Sequence, residues 1–195
     1  MADGVGTVAA TPHLRSDHPG VRVDELAGRC EALASELDAA GIPLTVVPGG
    51  EVDLLWAIDA SPEELGLASV AQKGQYILLE TPYTLLTSTF EGLLFQHVMM
   101  SGMTVLLAHP ERSPSFQQDP QRLFELVSRG VLLQVTTPAL LTPNRRSASR
   151  RLALTLLKEG LVHNLASARE AAARVDSAYA EWLVTEAPAT ILAGE

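Results

Sequence analysis

The sequence holds a single cysteine, Cys30, among 195 residues. An internal disulfide is excluded, and with it the disulfide-stapled folds of small secreted proteins. No run approaches the roughly 18 apolar residues of a membrane-spanning helix, so no membrane insertion is expected. Met1-Ala2-Asp3-Gly4 has neither the basic start nor the apolar stretch of an export signal. These absences give a cytoplasmic expectation. Positive charge is also scarce: 14 Lys and Arg face 23 Asp and Glu, for a formal net charge of -9. That balance argues against a general nucleic-acid surface. Repeats and low-complexity segments are missing. The most linker-like stretches, Ser113-Pro114-Ser115 and Thr142-Pro143-Asn144, are short enough to be loops. With 47% hydrophobic residues, the chain can bury a sizeable core, and one domain over 1–195 is expected.

What is present reads as strands alternating with helices. Val5 to Ala10 is a strand ending at Thr11-Pro12-His13, and Leu14 to Gly20 is a polar loop. The spacing of Leu26, Cys30, Leu33 and Leu37 predicts a helix over 21–40, stopped by Gly41. Cys30 lies on that apolar stripe and reads as a small buried hydrophobe rather than a nucleophile. Leu44 to Val47 is a strand running into Pro48-Gly49-Gly50-Glu51, where two glycines permit backbone conformations closed to other residues. A short helix over 52–59 and a capped start at Ser61-Pro62-Glu63-Glu64 follow. Tyr76 to Leu79 is a strand ending in Glu80-Thr81-Pro82, and 87–101 is helical. Val105 to Ala108 fills a buried strand that stops at His109-Pro110. Asp119-Pro120 opens a helix closed by Gly130, Val131 to Val135 is a strand, and Ser147 to Glu159 is a helix. Leu161 to Leu165 is the last strand, with His163 inside it, and 168–193 is helical.

This alternation implies α/β architecture with parallel strands and helical crossovers. His13, Glu51, Glu80 and His109 then fall at or just beyond the C-terminal ends of four successive strands. A barrel or curved sheet gathers such positions at one rim. A buried carboxylate such as Glu80 needs a partner, a metal or a base. Two imidazoles and two carboxylates suit Mn, Fe or Zn, which makes a metal-centred hydrolase a better account than an inert domain. Arg112, a few residues past His109, can hold a phosphoryl oxygen. Arg145 and Arg146, with Arg150 and Arg151, sit at the start of a helix capped by Ser147. They read either as a solvated basic face or as a weak phosphate-binding surface for an acidic tail.

Ala10-Thr11-Pro12-His13, Pro48-Gly49-Gly50-Glu51, Leu78-Leu79-Glu80 with Pro82, Ala108-His109-Pro110-Glu111-Arg112 and Gln134-Val135-Thr136 occur in that order. In this respect the chain resembles the bacterial protein-tyrosine phosphatases of the polymerase-and-histidinol-phosphatase (PHP) superfamily, found with capsule and exopolysaccharide genes. The resemblance spans nearly all of 1–167. It implies a distorted (β/α)7-type barrel with a metal cluster, most often manganese, with Fe or Zn as alternatives. It implies His13, Glu51, Glu80 and His109 as metal ligands and Arg112 as the catalytic arginine gripping the substrate phosphate. The implied substrate is the phosphotyrosine tail of a bacterial tyrosine kinase.

The chain also departs from that pattern. The family opens with a strand bearing a His-x-His pair, whereas this sequence starts past that point, so the expected barrel lacks its first strand. The family's Asp-Ala-His near the last strand is replaced by Ala166-Ser167-Ala168-Arg169-Glu170. The expectation is an incomplete cluster, with Glu51 and Glu80 facing each other and raising at least one pKa. The missing strand predicts lowered stability or a homo-oligomer that covers the gap. The alternative to a phosphatase is a catalytically degenerate scaffold or a phosphoprotein-binding domain.

Overall fold

The computed structural model describes residues 5–82, 85–87, 89–166 and 191. The strands are β1 (Thr7–Ala10), β2 (His13–Leu14), β3 (Thr45–Pro48), β4 (Glu51–Asp53), β5 (Tyr76–Glu80), β6 (Thr104–Ala108), β7 (Leu132–Thr136) and β8 (Asn164–Ala166). The helices are α1 (Leu26–Ala39), α2 (Leu54–Asp59), α3 (Pro62–Ala68), α4 (Phe90–Leu93), α5 (Pro114–Gln118), α6 (Gln121–Ser128), α7 (Thr137–Leu141) and α8 (Ala148–Lys158). Of the helix expected over 168–193, all but Ile191 lies outside the described residues.

Among the described residues every strand pairing is parallel, and strand order follows chain order, β2-β4-β5-β6-β7-β8, with β1 beside β3 in a separate pair. The α/β class with in-order parallel strands is as the sequence predicts. A sheet that always adds its next strand on the same side makes the curved wall of a barrel rather than a doubly wound layer. Among the described residues this wall is open, with β2 and β8 at its ends.

Among the described residues eight strands stand where six are expected, because the first two are each broken in the middle. Pro12 interrupts β1 and β2, and Gly49-Gly50 interrupts β3 and β4. The Glu51 N–H donates to the Pro12 carbonyl at 3.0 Å, bridging the two breaks. Gly50 serves here by lacking a side chain rather than by unusual torsions, since its φ is not positive. A Cβ on Gly50 would collide with Leu14, which is buried in the core rather than in a polar loop.

Side-chain alternation divides the wall into two faces. Ile77, Leu79, Val105, Leu107, Leu133 and Val135 are fully buried against helix residues such as Leu123, Leu126, Leu152 and Leu156. Each contributes roughly 1.5–3 kcal/mol relative to exposure. Leu78, Leu106 and Ala108 lie on the opposite face with Val70 and Ile191.

Several local expectations change. In α1 the stripe holds for Leu26 and Cys30, but Leu33 is exposed. The β1–β3 pair beneath α1 is only two strands wide, so the later turns have little surface to cover. The helix over 87–101 breaks into α4, a π-turn at Leu94–Val98 and a 3-10 turn at Met99–Ser101. Phe90, Leu94 and Val98 are all buried at a strict four-residue spacing. Keeping them on one face demands more residues per turn than an α-helix has, which π geometry supplies. Asp119 does not cap its helix. Pro120 takes the cap position, and the Asp119 N–H donates to the Ser115 carbonyl. Ser147, by contrast, accepts from the Arg150 N–H as a cap should. Ser113-Pro114-Ser115 runs into α5 instead of forming a loop.

His163 precedes β8 rather than lying inside it. It extends the ladder with both backbone and ring: its backbone N–H donates to the Leu133 carbonyl at 2.9 Å, and its ring Nδ1 accepts from the Leu133 N–H at 3.1 Å. Burial pushes the imidazole below its ordinary range, against an opposing backbone hydrogen bond at Leu161. Folding thus favours the neutral ring. Its stabilisation is complete above an unfolded pKa of about 6.5 and is lost as pH falls through the depressed folded value. Urea midpoints measured against pH should fall below about pH 6.5 in the wild type. His163→Leu should cost about 1–3 kcal/mol at pH 7.5 through the unpaired Leu133 N–H. It should also flatten the acid limb.

Candidate metal centre

The strand register aligns the candidate ligands. His13 pairs with Glu51, Glu51 with Leu78, and Asp53 with Glu80, so the side chains of His13, Glu51 and Glu80 share the face opposite the helical core. Asp53 shares that face in register, but its carboxylate caps α2 by accepting from the Leu55 and Trp56 N–H groups.

His109 reaches the group by a different device. Position 109 follows Ala108 and by alternation would face the helices. Instead its backbone is left-handed, with φ 36 and ψ 48. That conformation costs a non-glycine residue roughly 1–2 kcal/mol. Pro110 disfavours the right-handed helical alternative at the preceding residue. The His109 N–H donates to the Gln134 carbonyl at 2.8 Å, which holds the bend. The ring then swings over the rim, and Nε2 lies 2.8 Å from Glu51 Oε1.

Glu51 is central. His109 contacts its Oε1 from one side, and His13 Nδ1 lies 3.7 Å from the same oxygen. His13 Nδ1 is also 3.4 Å from Glu80 Oε2 and hydrogen-bonds to neither carboxylate. Glu80 is 2% exposed, and its Oε1 is buried without a hydrogen-bond partner. The ligand atoms of His13, Glu51 and Glu80 all lie within 4.8 Å of one another. Atoms bound to one ion at about 2.1 Å are separated by no more than about twice that length. The two His13 distances meet that condition. Glu51 Oε1 and Glu80 Oε2 converge on the His13 Nδ1, which bonds to neither, and a divalent cation among the three would satisfy that nitrogen and both carboxylates. The residues therefore fit the expected metal.

At Glu51 itself the electrostatics favour the charged carboxylate. Burial is the largest single influence on Glu51 and opposes its ionisation. The His109 hydrogen bond and the charges of His109, His13 and Arg112 together outweigh it, so Glu51 lies below the ordinary carboxylate range. Facing Glu80 does not raise it.

Arg15, missing from the sequence-based ligand set, also enters the site. Its Nη1 donates to Glu80 Oε2 at 3.0 Å, while Nε donates to Asp17 Oδ1 at 2.7 Å. Asp17 in turn contacts His18 Nδ1 at 3.0 Å, and the His18 ring lies 5.4 Å from that of His13. The two-residue spacing from His13 was the available signal, because alternate residues of a strand share a face.

Arg112 is exposed at the turn after His109, and its Nη2 donates to Thr136 Oγ1 at 3.3 Å. Beside it, Glu111 is fully buried. Arg145 and Arg146 are exposed in the turn before α8. Among the described residues, no hydrogen bond or ion pair recorded for the His13, Glu51, Glu80 and His109 group involves either of them. Cys30 is buried in α1 and its thiol is pushed up by burial, so it offers no nucleophile.

Comparison with known proteins adds independent findings. Residues 1–179 match the family model described as capsular polysaccharide synthesis, CpsB/CapC. The chain is 30% identical over 170 residues to the tyrosine-protein phosphatase YwqE of Bacillus subtilis (strain 168), covering 86% of this chain and 65% of that protein. It is 24% identical over 167 residues to CapC of Staphylococcus aureus, covering 86% of this chain and 64% of that protein. The name of that CapC leaves its tyrosine phosphatase activity unproven. The chain thus spans just under two thirds of the length of these curated relatives. A crystal structure from work on YwqE of Bacillus subtilis and CpsB of Streptococcus pneumoniae, described as metal-dependent tyrosine phosphatases, superposes with a TM-score of 0.80. It shares 25% identity and covers 100% of this chain and 83% of that one.

Metal loading should be visible without any assay of activity. At about 100 times its dissociation constant, Mn should stabilise the fold by about 2.7 kcal/mol. For a chain of this size that is a melting-point rise of roughly 5–10 °C. His13→Ala and Glu80→Gln should abolish the rise. Elemental analysis should find about one equivalent or fewer, because the converging ligand atoms make a single site. Close to three tightly held ions per chain would contradict this reading.

Proposed function

The chain belongs to the CpsB/CapC capsular polysaccharide synthesis family, and on that premise we propose that it is a metal-dependent protein-tyrosine phosphatase. The observation carrying the proposal is the convergence of His13, Glu51 and Glu80, with His109 on Glu51, beside an exposed arginine at the same rim. The ion we assign is Mn, ahead of Fe and Zn, on the mixed imidazole and carboxylate donor set. The substrate we assign is the phosphotyrosine tail of a bacterial tyrosine kinase that controls polysaccharide export. The reaction belongs in the cytoplasm, consistent with one reduced, buried cysteine. Among the described residues, no helix is long and apolar enough to cross a membrane. The unit of function is one domain over 1–195.

When bound, a divalent ion supplies Lewis acidity and lowers the pKa of water. The chain's own residues do the rest. His13, Glu51, Glu80 and His109 hold the donor set. Arg112 takes the phosphoryl oxygens in charge-assisted, two-pronged contacts and offsets the charge that builds on them. Its guanidinium suits a planar, bidentate grip better than a lysine would. Arg145 and Arg146 contribute a weaker contact to acidic residues flanking the phosphotyrosine. This assignment is supported by the packing of α8, which follows them, against the Pro110–Arg112 turn.

Phosphotyrosyl-peptide titration in added Mn, followed by phosphate release, tests the proposal. Arg112→Ala should weaken binding of a short phosphopeptide about 10- to 100-fold. The Arg145→Ala, Arg146→Ala double variant should weaken only a longer, acidic peptide. Phosphopeptide binding without phosphate release would favour the phosphoprotein-binding alternative. Equal affinity for phosphotyrosyl and plain tyrosyl peptides would leave only the degenerate scaffold.

A further inference from the structure

Glu111 is a carboxylate with 0% exposure, and its side-chain hydrogen bonds run to Thr136. A site that needed only a buried prop would be served at lower cost by an apolar side chain of similar volume. The contacts explain what a carboxylate adds. Glu111 Oε1 accepts from the Thr136 hydroxyl at 2.7 Å and from the Thr136 N–H at 3.2 Å. The hydroxyl has one proton, and it is committed to Glu111. Its lone pairs are therefore turned away from Glu111, and the Arg112 Nη2 donates to that oxygen at 3.3 Å. The Glu111 backbone is itself held, its carbonyl accepting from Gln117 Nε2 at 2.9 Å. Gln117 also donates to Ser149 of α8 at 3.1 Å.

We infer that Glu111 and Thr136 are positioning residues: Glu111 fixes the rotor of Thr136 so that the hydroxyl accepts from Arg112 and holds its guanidinium facing the rim. The inference deepens the phosphatase proposal, since the aimed arginine is the one assigned to phosphate. The device joins two loops, the turn after β6 and the end of β7, so the arginine's aim is set by the sheet itself. An otherwise exposed arginine loses rotamer freedom before substrate arrives, and less has to be lost on binding.

Two readouts separate this inference from the proposal it rests on. The first needs no ligand. Rotation of the Arg112 guanidinium about its Nε–Cζ bond, followed by NMR, should be slow in the wild type, faster in Thr136→Val, and restored in Thr136→Ser. Glu111→Gln keeps an oxygen acceptor and should remain close to wild type, whereas Glu111→Leu should resemble Thr136→Val. The second is phosphotyrosyl-peptide binding as a double-mutant cycle. Thr136→Val should weaken binding about tenfold in the wild-type background and have no effect in Arg112→Ala. A general structural defect would weaken both backgrounds equally. Arg112 rotation unchanged by Thr136→Val would overturn the inference whether or not the peptide binds. Hindered Arg112 rotation released by Thr136→Val, in a protein that binds no phosphopeptide, would uphold it and overturn the phosphatase reading. Should Thr136→Val fail to fold, Glu111→Gln against Glu111→Leu decides on the same NMR signal.

Discussion

Two carboxylates, Glu51 and Glu80, are held at one rim of a parallel sheet, and the cost of keeping their charge from water organises what surrounds them. A buried, unpaired carboxylate is among the most expensive groups a fold can carry. The structure offsets that cost from several directions. His109 bends out of regular backbone to reach Glu51, His13 stands between the two carboxylates, and Arg15 reaches Glu80. The set remains unsatisfied at Glu80 Oε1 and His13 Nδ1. A cation among His13 Nδ1, Glu51 Oε1 and Glu80 Oε2 would complete the neutralisation. The same convergence makes the site useful, because a site preloaded with negative charge binds a divalent ion and, through it, phosphate.

The sheet makes this clustering inexpensive in sequence. Strictly parallel, in-order strands bring their C-terminal ends to one edge, so one residue at each of several strand ends is enough to build a site. The two interruptions, at Pro12 and at Gly49-Gly50, bend the first two strand lines just before their ligands. His13 and Glu51 resume pairing directly after those breaks. The Leu14 side chain fills the space that a Gly50 side chain would need, tying the ligand-bearing segments to the core.

Much of this was legible in the sequence, for identifiable reasons. The apolar runs ending in His-Pro, Glu-Thr-Pro and Thr-Pro-His marked strand ends, because proline stops a ladder and polar residues crowd the rim. Ser61 and Ser147 were readable as caps because their hydrogen bonds are local. Leu14 was not, since two residues of strand carry no periodicity. The five-residue helices α5 and α7 were too short for a periodic signal, although Pro114 and Pro138 occupy their first turns. The π-turn follows from a four-residue spacing that looks helical until burial is known. The Glu111–Thr136–Arg112 chain depends on contacts between distant segments, which spacing along one strand cannot reveal, whereas Arg15 sits two residues from His13 and was open to a reading by alternation.

The central claim is that His13, Glu51 and Glu80, with His109 behind Glu51, form one metal centre. Crystals equilibrated with Mn and measured at its absorption edge test it most directly. The account predicts an anomalous peak about 2.0–2.2 Å from His13 Nδ1 and from one oxygen each of Glu51 and Glu80. A peak away from these atoms, or no peak at a saturating Mn concentration, would contradict it.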